Sequence, residues 1–327
     1  MLLQYRNPSA QNSKRDRGML RTHLNRLQSS LFPHGLKSAV RARRLAATSG
    51  NPSIPADLRT RFETDGFAVI EGFATPDEVA ALRKRAGELI DEVQPEDLTI
   101  FSTKNQTAND YFNKSAGNIS LFFEENAFNA EGNLRQDKSL SINKLGHAMH
   151  DLDPTFRNFS RSPKMKAVFD ALACQQRPTP VQSMYIFKQP RIGGEVVPHQ
   201  DSTFLYTEPP SVIGMWLALE KATVQNGCLY ILPKSHQRGL DRRFGKQSDG
   251  EVGFDEPTKE YDIDEFVPVE VGEGALVMLH GAVVHCSKEN TSAKSRHAYT
   301  VHFIDGRNPW SKDNWLQRSE DFPFEAL

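Results

Sequence analysis

Residues 266–305 read FVPVEVGEGALVMLHGAVVHCSKENTSAKSRHAYTVHFID. Four short runs rich in Val, Leu, Tyr and Phe stand in this stretch, parted by Gly, Asn and Ser clusters. β-Branched and aromatic side chains suit a pleated surface, and Gly, Asn and Ser suit the turns between such runs. The same texture reaches back to Val181, through VQSMYIF, EVVPHQDSTFLY, VIGMWLALE and CLYILP. Many short strands at this spacing predict a β sandwich or barrel of jelly-roll type. Asp241–Phe266 is polar and charged and interrupts the series. It reads as a surface insertion or as a loop that covers a substrate.

The chain before Val181 has a different pattern. SGNPSIPAD, at 49–57, has linker composition. LRTRFETDGFAVIEGFATPDEVAALRKRAGELIDEV then predicts a short helix, a strand at Phe67–Ile70, a turn and a strong helix. Thr75 is a good N-cap, Pro76 suits the first helical position, and Glu78 completes a capping box. Residues 102–120 are polar and read as a loop. From Asn143 to Ala173 the pattern is helical with breaks. The expected class is therefore mainly β with flanking helices (α+β). Residues 56–327 read as a single domain, because the early helices have no separate core large enough to stand alone.

Composition narrows the function. The 327 residues carry a net charge of -1, with 38% hydrophobic and 25% charged residues, as in ordinary globular proteins. No apolar run approaches the roughly 18 residues of a membrane span. Cys174, Cys228 and Cys286 form no CxxC pair, so neither a disulfide framework nor a thiolate zinc site is expected. Residues 1–50 hold ten Lys/Arg and one acid, Asp16, so the rest of the chain is acidic. That balance excludes a nucleic-acid footprint on the body of the protein. Residues 1–55 read as a basic extension or a targeting segment. A cytoplasmic location is expected, with a mitochondrial presequence as the alternative. The oligomeric state is left open.

Chemistry enters at PHQDSTFLY, 198–206. In extended chain His199 and Asp201 point to one face while Gln200 points to the other. Two histidines and one carboxylate on one face of an octahedron hold non-haem Fe(II) and leave positions open. The third ligand should come from a distant strand, with His280, His285, His297 and His302 as candidates. Alternation puts His285 with Ser287, and Arg296 follows eleven residues after His285. An arginine inside a barrel is costly without an anion, and guanidinium pairs with a carboxylate through two parallel hydrogen bonds. His280 fits a satisfied core histidine, and His297 faces away from Arg296. His147, His150 and His236 are expected to be structural or exposed.

PHQD, MWLALEKATVQNGCLYILPKSH and HCSKENTSAKSRHAYT together resemble the phytanoyl-CoA dioxygenase family of Fe(II)- and 2-oxoglutarate-dependent oxygenases. The resemblance spans about residues 56–327. It implies a double-stranded β-helix (jelly-roll, cupin-like) fold, with His199, Asp201 and His285 as catalytic iron ligands. Arg296 would bind the distal carboxylate of 2-oxoglutarate, helped by Ser287. Lys144, Met184, Gln200 and Trp216 match positions that line the cosubstrate pocket. The implied reaction consumes O2 and 2-oxoglutarate, releases succinate and CO2, and hydroxylates a small-molecule or acyl substrate, with ascorbate as an accessory reductant. Two other readings stand beside it: a metal- and 2-oxoglutarate-binding regulatory protein, and a cupin-type metal-dependent hydrolase or isomerase. An interior Arg296 argues against the hydrolase.

Overall fold

The computed structural model describes residues 53–92, 99–100 and 110–327. Helix α1 (Leu58–Asp65) ends at Gly66, whose φ of 83° suits a residue without Cβ. Strand β1 (Phe67–Ile70) and helix α2 (Pro76–Glu92) follow as the sequence predicts. The capping box is formed: Thr75 N donates to Glu78 Oε2 at 2.8 Å, and Glu78 N donates to Thr75 Oγ1 at 3.3 Å. Next come β2 (Thr99–Ile100), α3 (Asp110–Lys114), β3 (Ile119–Phe123) and β4 (Ile142–His147). Helices α4 (Met149–Leu152), α5 (Pro154–Ser160) and α6 (Pro163–Leu172) complete the first half.

The second half is a run of strands: β5 (Pro178–Ile186), β6 (Val196–His199), β7 (Ile213–Ala218), β8 (Leu229–Ile231), β9 (Phe244–Lys246) and β10 (Val252–Phe254). Strands β11 (Val267–Val269), β12 (Leu276–His280), β13 (His285–Ser287) and β14 (Ala298–Asp305) end it. They form an eight-stranded sheet in the order β1-β12-β7-β14-β5-β4-β3-β2 and a four-stranded sheet in the order β11-β8-β13-β6. All pairings are antiparallel except β2 with β3. This is the expected jelly-roll, mainly β with helices.

Alternation assigns the two faces of the large sheet. Met215, Leu217, Met278, Tyr299, Val301 and Phe303 join one cluster with Leu82, Phe156 and Phe169 of the helices. Trp216, Ala218, Val277 and Ala298 point the other way, into a cluster with Leu229, Ile231 and Cys286 of the small sheet. Each large apolar side chain so buried contributes about 1.5–3 kcal/mol. The helices cover the outer face, and the inner face is left to enclose a cavity.

Two expectations need correction. Residues 142–147 are not helical; they form β4, paired with β3 and β5. All six are buried, which erases the two-residue alternation that marks a half-exposed strand. The described end of 102–120 is not all loop either, since it contains α3 and the start of β3. Residues 101–109, and nearly all of the basic extension, lie outside the described residues.

Candidate metal centre

His285 on β13 faces His199 on β6 directly across the ladder. Their rings lie 4.3 Å apart between centroids. Two residues beyond His199 the chain enters a 3-10 turn, fixed by the Ser202 N–H donating to Gly281 O at 2.8 Å. The turn brings Asp201 Oδ1 to 3.8 Å from His199 Nε2 and 3.6 Å from His285 Nε2. One ligand atom from each of the three lies within 4.8 Å of the others, the spacing of a metal cluster.

Both rings are held for this task. His199 Nδ1 lies 2.9 Å from Val197 O, and His285 Nδ1 lies 3.2 Å from Val283 O. A carbonyl only accepts, so each Nδ1 carries the proton and each Nε2 presents a lone pair to the cluster. Burial, then the neighbouring His285, holds the His199 imidazole down to about 4. Burial pushes the Asp201 carboxyl upward, but His302 and His285 outweigh it and hold it below the ordinary carboxylate range. An ionised carboxylate beside imidazole nitrogens that present lone pairs is the donor set that Fe(II) takes.

Two further residues shape the carboxylate. His302 Nε2 on β14 is 3.2 Å from Asp201 Oδ2. Gly214, its neighbour on β7, leaves the space that oxygen occupies: a Cβ there would come within 2.6 Å of it. His302, one of the four candidates for third ligand, thus abuts the carboxylate and stands outside the three-residue cluster.

The cluster opens into a cavity of about 180 Å³. Lys144, Met184, Trp216, Ser287 and Arg296 line it together with His199, Asp201 and His285. Arg296 is 1% exposed. Its Nε donates to Gly227 O at 3.0 Å, its guanidinium sits 5.1 Å from the Trp216 ring centre, and its buried Nη1 has no partner. Burial lowers the group to about 10. A buried guanidinium nitrogen without an acceptor is expensive, and an anion would relieve it.

Lys188, which sequence reasoning missed, sits beside it. Its Nζ donates to Gly194 O at 2.5 Å and to Ser287 Oγ at 2.9 Å. Burial brings both Lys144 and Lys188 down to about 7. Among the residues lining the cavity, three such cations accompany one acid, Asp201. The cavity therefore suits an anion of more than one charge.

The structure places Gln200 apart from the other residues expected around the cosubstrate. It does not line the cavity: Nε2 donates to Gly239 O and Ala282 O, each at 2.8 Å, and Oε1 accepts from Asp241 N at 2.8 Å. Strand alternation, which brings His199 and Asp201 together, turns the residue between them away. His280 and His297 are also outside; His297 Nδ1 meets Tyr185 Oη at 2.9 Å. His147, expected among the structural or exposed histidines, is buried and lines the cavity. The 241–266 stretch supplies part of the wall through Phe244, packed against Phe204.

A jelly-roll whose inner face carries a two-histidine, one-carboxylate cluster beside a buried arginine defines a class of non-haem metal-site proteins. The profile described as "Phytanoyl-CoA dioxygenase (PhyH)" matches residues 62–298, and the chain belongs to that family. "Phytanoyl-CoA dioxygenase 1" of Oryza sativa subsp. japonica is 53% identical over 260 residues, 79% of this chain and 92% of that one. "Phytanoyl-CoA dioxygenase domain-containing protein 1" of Mus musculus is 46% identical over 286 residues, 84% of this chain and 98% of that one. The fold is also that of the "non-heme alpha ketoglutarate dependent carbocyclase SnoK from nogalamycin biosynthesis". That match has a TM-score of 0.56 at 17% identity and covers 84% of this chain and 99% of that one. EctD from S. alaskensis, solved with 2-oxoglutarate and 5-hydroxyectoine, gives 0.56 at 19% identity over 84% of this chain and 86% of that one.

Proposed function

We propose that this protein is an Fe(II)- and 2-oxoglutarate-dependent dioxygenase that hydroxylates a small-molecule or acyl substrate. The observation that carries the reading is the buried Arg296 Nη1 without a partner, in the same cavity as His199, Asp201 and His285. Those three hold the iron. Arg296 receives the distal carboxylate of 2-oxoglutarate, Lys188 fixes Ser287 beside it, and Lys144, Met184 and Trp216 form the surrounding wall. Iron(II), when bound, supplies dioxygen activation coupled to decarboxylation of 2-oxoglutarate to succinate and CO2.

The protein's part is placement and electrostatics. The Nδ1–carbonyl bonds keep both imidazoles from rotating, and His302 with Gly214 sets the angle of Asp201. The cations offset the dianion, and the Trp216 ring faces the guanidinium. Ascorbate serves as an accessory reductant. On the same reading residues 56–327 are the oxygenase domain and residues 1–55 an extension outside it. Among the described residues no helix is long and apolar enough to cross a membrane. The location we propose is cytoplasmic, with mitochondrial import through the basic segment as the alternative.

The test is succinate release from 2-oxoglutarate with Fe(II) and ascorbate, run without and then with a metabolite extract. The reading requires iron-dependent succinate that rises with the extract, and a product that has gained one oxygen by mass. No succinate under either condition refutes it.

A further inference from the structure

At its other end the cavity has a second polar feature, which the cluster and Arg296 leave unused. His147, at the end of β4, lines the cavity and is 1% exposed. Its Nε2 is buried and has no partner. The state of that nitrogen follows from its neighbours. Ser115 has one hydroxyl proton and two contacts, Phe112 O at 2.5 Å and His147 Nδ1 at 2.7 Å. The carbonyl can only accept, so the Ser115 proton goes to it. His147 Nδ1 must then donate to Ser115 Oγ, which leaves Nε2 as a bare lone pair. Burial, then Lys144 and His302, keeps the ring far below its ordinary pKa and so uncharged.

Position separates this end from the anion end. His147 pairs with Ser183, next to Gln182, and Gln182 pairs with His302. His302 stands six residues along from Arg296, roughly 20 Å of extended chain. The surroundings are mainly aromatic, with Lys144 Nζ 5.7 Å from the centre of the Phe112 ring. His147 meets the rings of Phe112 and Trp315 at 5.2 and 5.3 Å, and both line the cavity. A neutral acceptor buried among aromatic rings has a cost that a hydrogen-bond donor on a ligand removes.

We infer that His147 Nε2 is a specificity-determining acceptor for the primary substrate, and that this substrate is an apolar or aromatic small molecule bearing a hydroxyl directed at His147. The inference rests on the oxygenase reading for its place beside the metal, but the binding preference itself needs no turnover.

The experiment uses the full chain with Fe(II) and 2-oxoglutarate under anaerobic conditions. Three matched pairs are titrated by calorimetry: phenol and anisole, cyclohexanol and methoxycyclohexane, 2-naphthol and 2-methoxynaphthalene. We expect at least one alcohol to bind about tenfold tighter than its methyl ether, the worth of one buried hydrogen bond. His147→Phe should abolish that preference, and His147→Gln, which keeps an acceptor, should restore part of it. Nitrogen-15 spectra of histidine-labelled wild-type protein should show an unprotonated Nε2 for His147 that shifts with the alcohol and not with the ether. Equal binding of alcohols and ethers, no binding by any alcohol, a preference that survives His147→Phe, or a protonated Nε2 each overturns the proposal. A separate titration of wild-type protein with 2-oxoglutarate isolates the parent reading. If 2-oxoglutarate does not bind, the oxygenase reading fails, whatever the alcohols do.

Discussion

Around Arg296 the cavity wall comes from hydrogen-bonded neighbours. Lys188 is tied to Gly194 O and Ser287 Oγ, Arg296 Nε to Gly227 O, and its backbone N–H to Lys188 O. Around His147 the wall is assembled from separate elements: Phe112 from α3, Phe122 from β3, and Trp315 from the segment after β14. Lys188, Gly194, Gly227 and Arg296 flank the strands, and hydrogen bonds among them and to Ser287 of β13 fix the first end. The second is His147 of β4 covered by rings from distant segments, which meet by packing and not by hydrogen bonds to one another. A site that must always take the same cosubstrate and only sometimes the same substrate would be divided in this way.

The contrast is open to four tests. The largest effect belongs to the shared centre: Asp201→Ala should lower iron-dependent succinate formation by at least about a hundredfold. Metal analysis of the purified variant should show the iron lost, and normal iron content with normal turnover would remove Asp201 from the cluster. Next, Arg296→Ala should raise the KM for 2-oxoglutarate at least tenfold, because a charge-assisted bond is worth about 1.5–3 kcal/mol. Steady-state kinetics read this directly, and an unchanged KM would detach Arg296 from the anion end.

A smaller effect is expected from pH. Burial puts Lys144 and Lys188 near 7, so both lose their charge as pH rises through that value. The cationic forms are the ones that attract the dianion. Affinity for 2-oxoglutarate should therefore weaken severalfold as pH rises above about 7, with the bound anion itself moving the fall upward. Lys188→Met should flatten the profile; an affinity that strengthens with pH contradicts the assignment. The smallest change in KM should come from Gln200→Met, whose side chain faces away from the cavity. The KM should stay within about twofold, while thermal unfolding reports a loss of about 1–3 kcal/mol for the broken hydrogen bonds. A tenfold KM rise with unchanged stability would return Gln200 to the pocket wall.

Much of the first end was legible in the sequence because it depends on strand parity. His199 and Asp201 share a face, and Arg296 is a buried charge that needs an anion. The same parity rule correctly turns Gln200 outward. The resemblance implies a wall position for it, whereas its amide makes three hydrogen bonds on the other side of the strand. Lys188 was not legible, since lysine is ordinarily exposed. Only the fold brings it under Arg296 and within the field of Glu124. The second end was hidden for two reasons. The INKLGH stretch is buried on both faces and shows no alternation, so β4, and His147 with it, read as helix. Its other walls come from segments far apart in the chain, and nothing in the local pattern ties Phe112 to Trp315.

Strand β14 joins the two ends, and its alternate residues face different neighbours. Tyr299, Val301 and Phe303 pack into the helix-covered core, while Thr300 and His302 line the cavity. Inheritance can therefore act on the two faces separately. A change at 299, 301 or 303 acts on the packed core; a change at 300 or 302 acts on the cavity wall. Thr300 is thus the position on this strand where the wall can vary with neither the core nor the neighbour of Asp201 replaced.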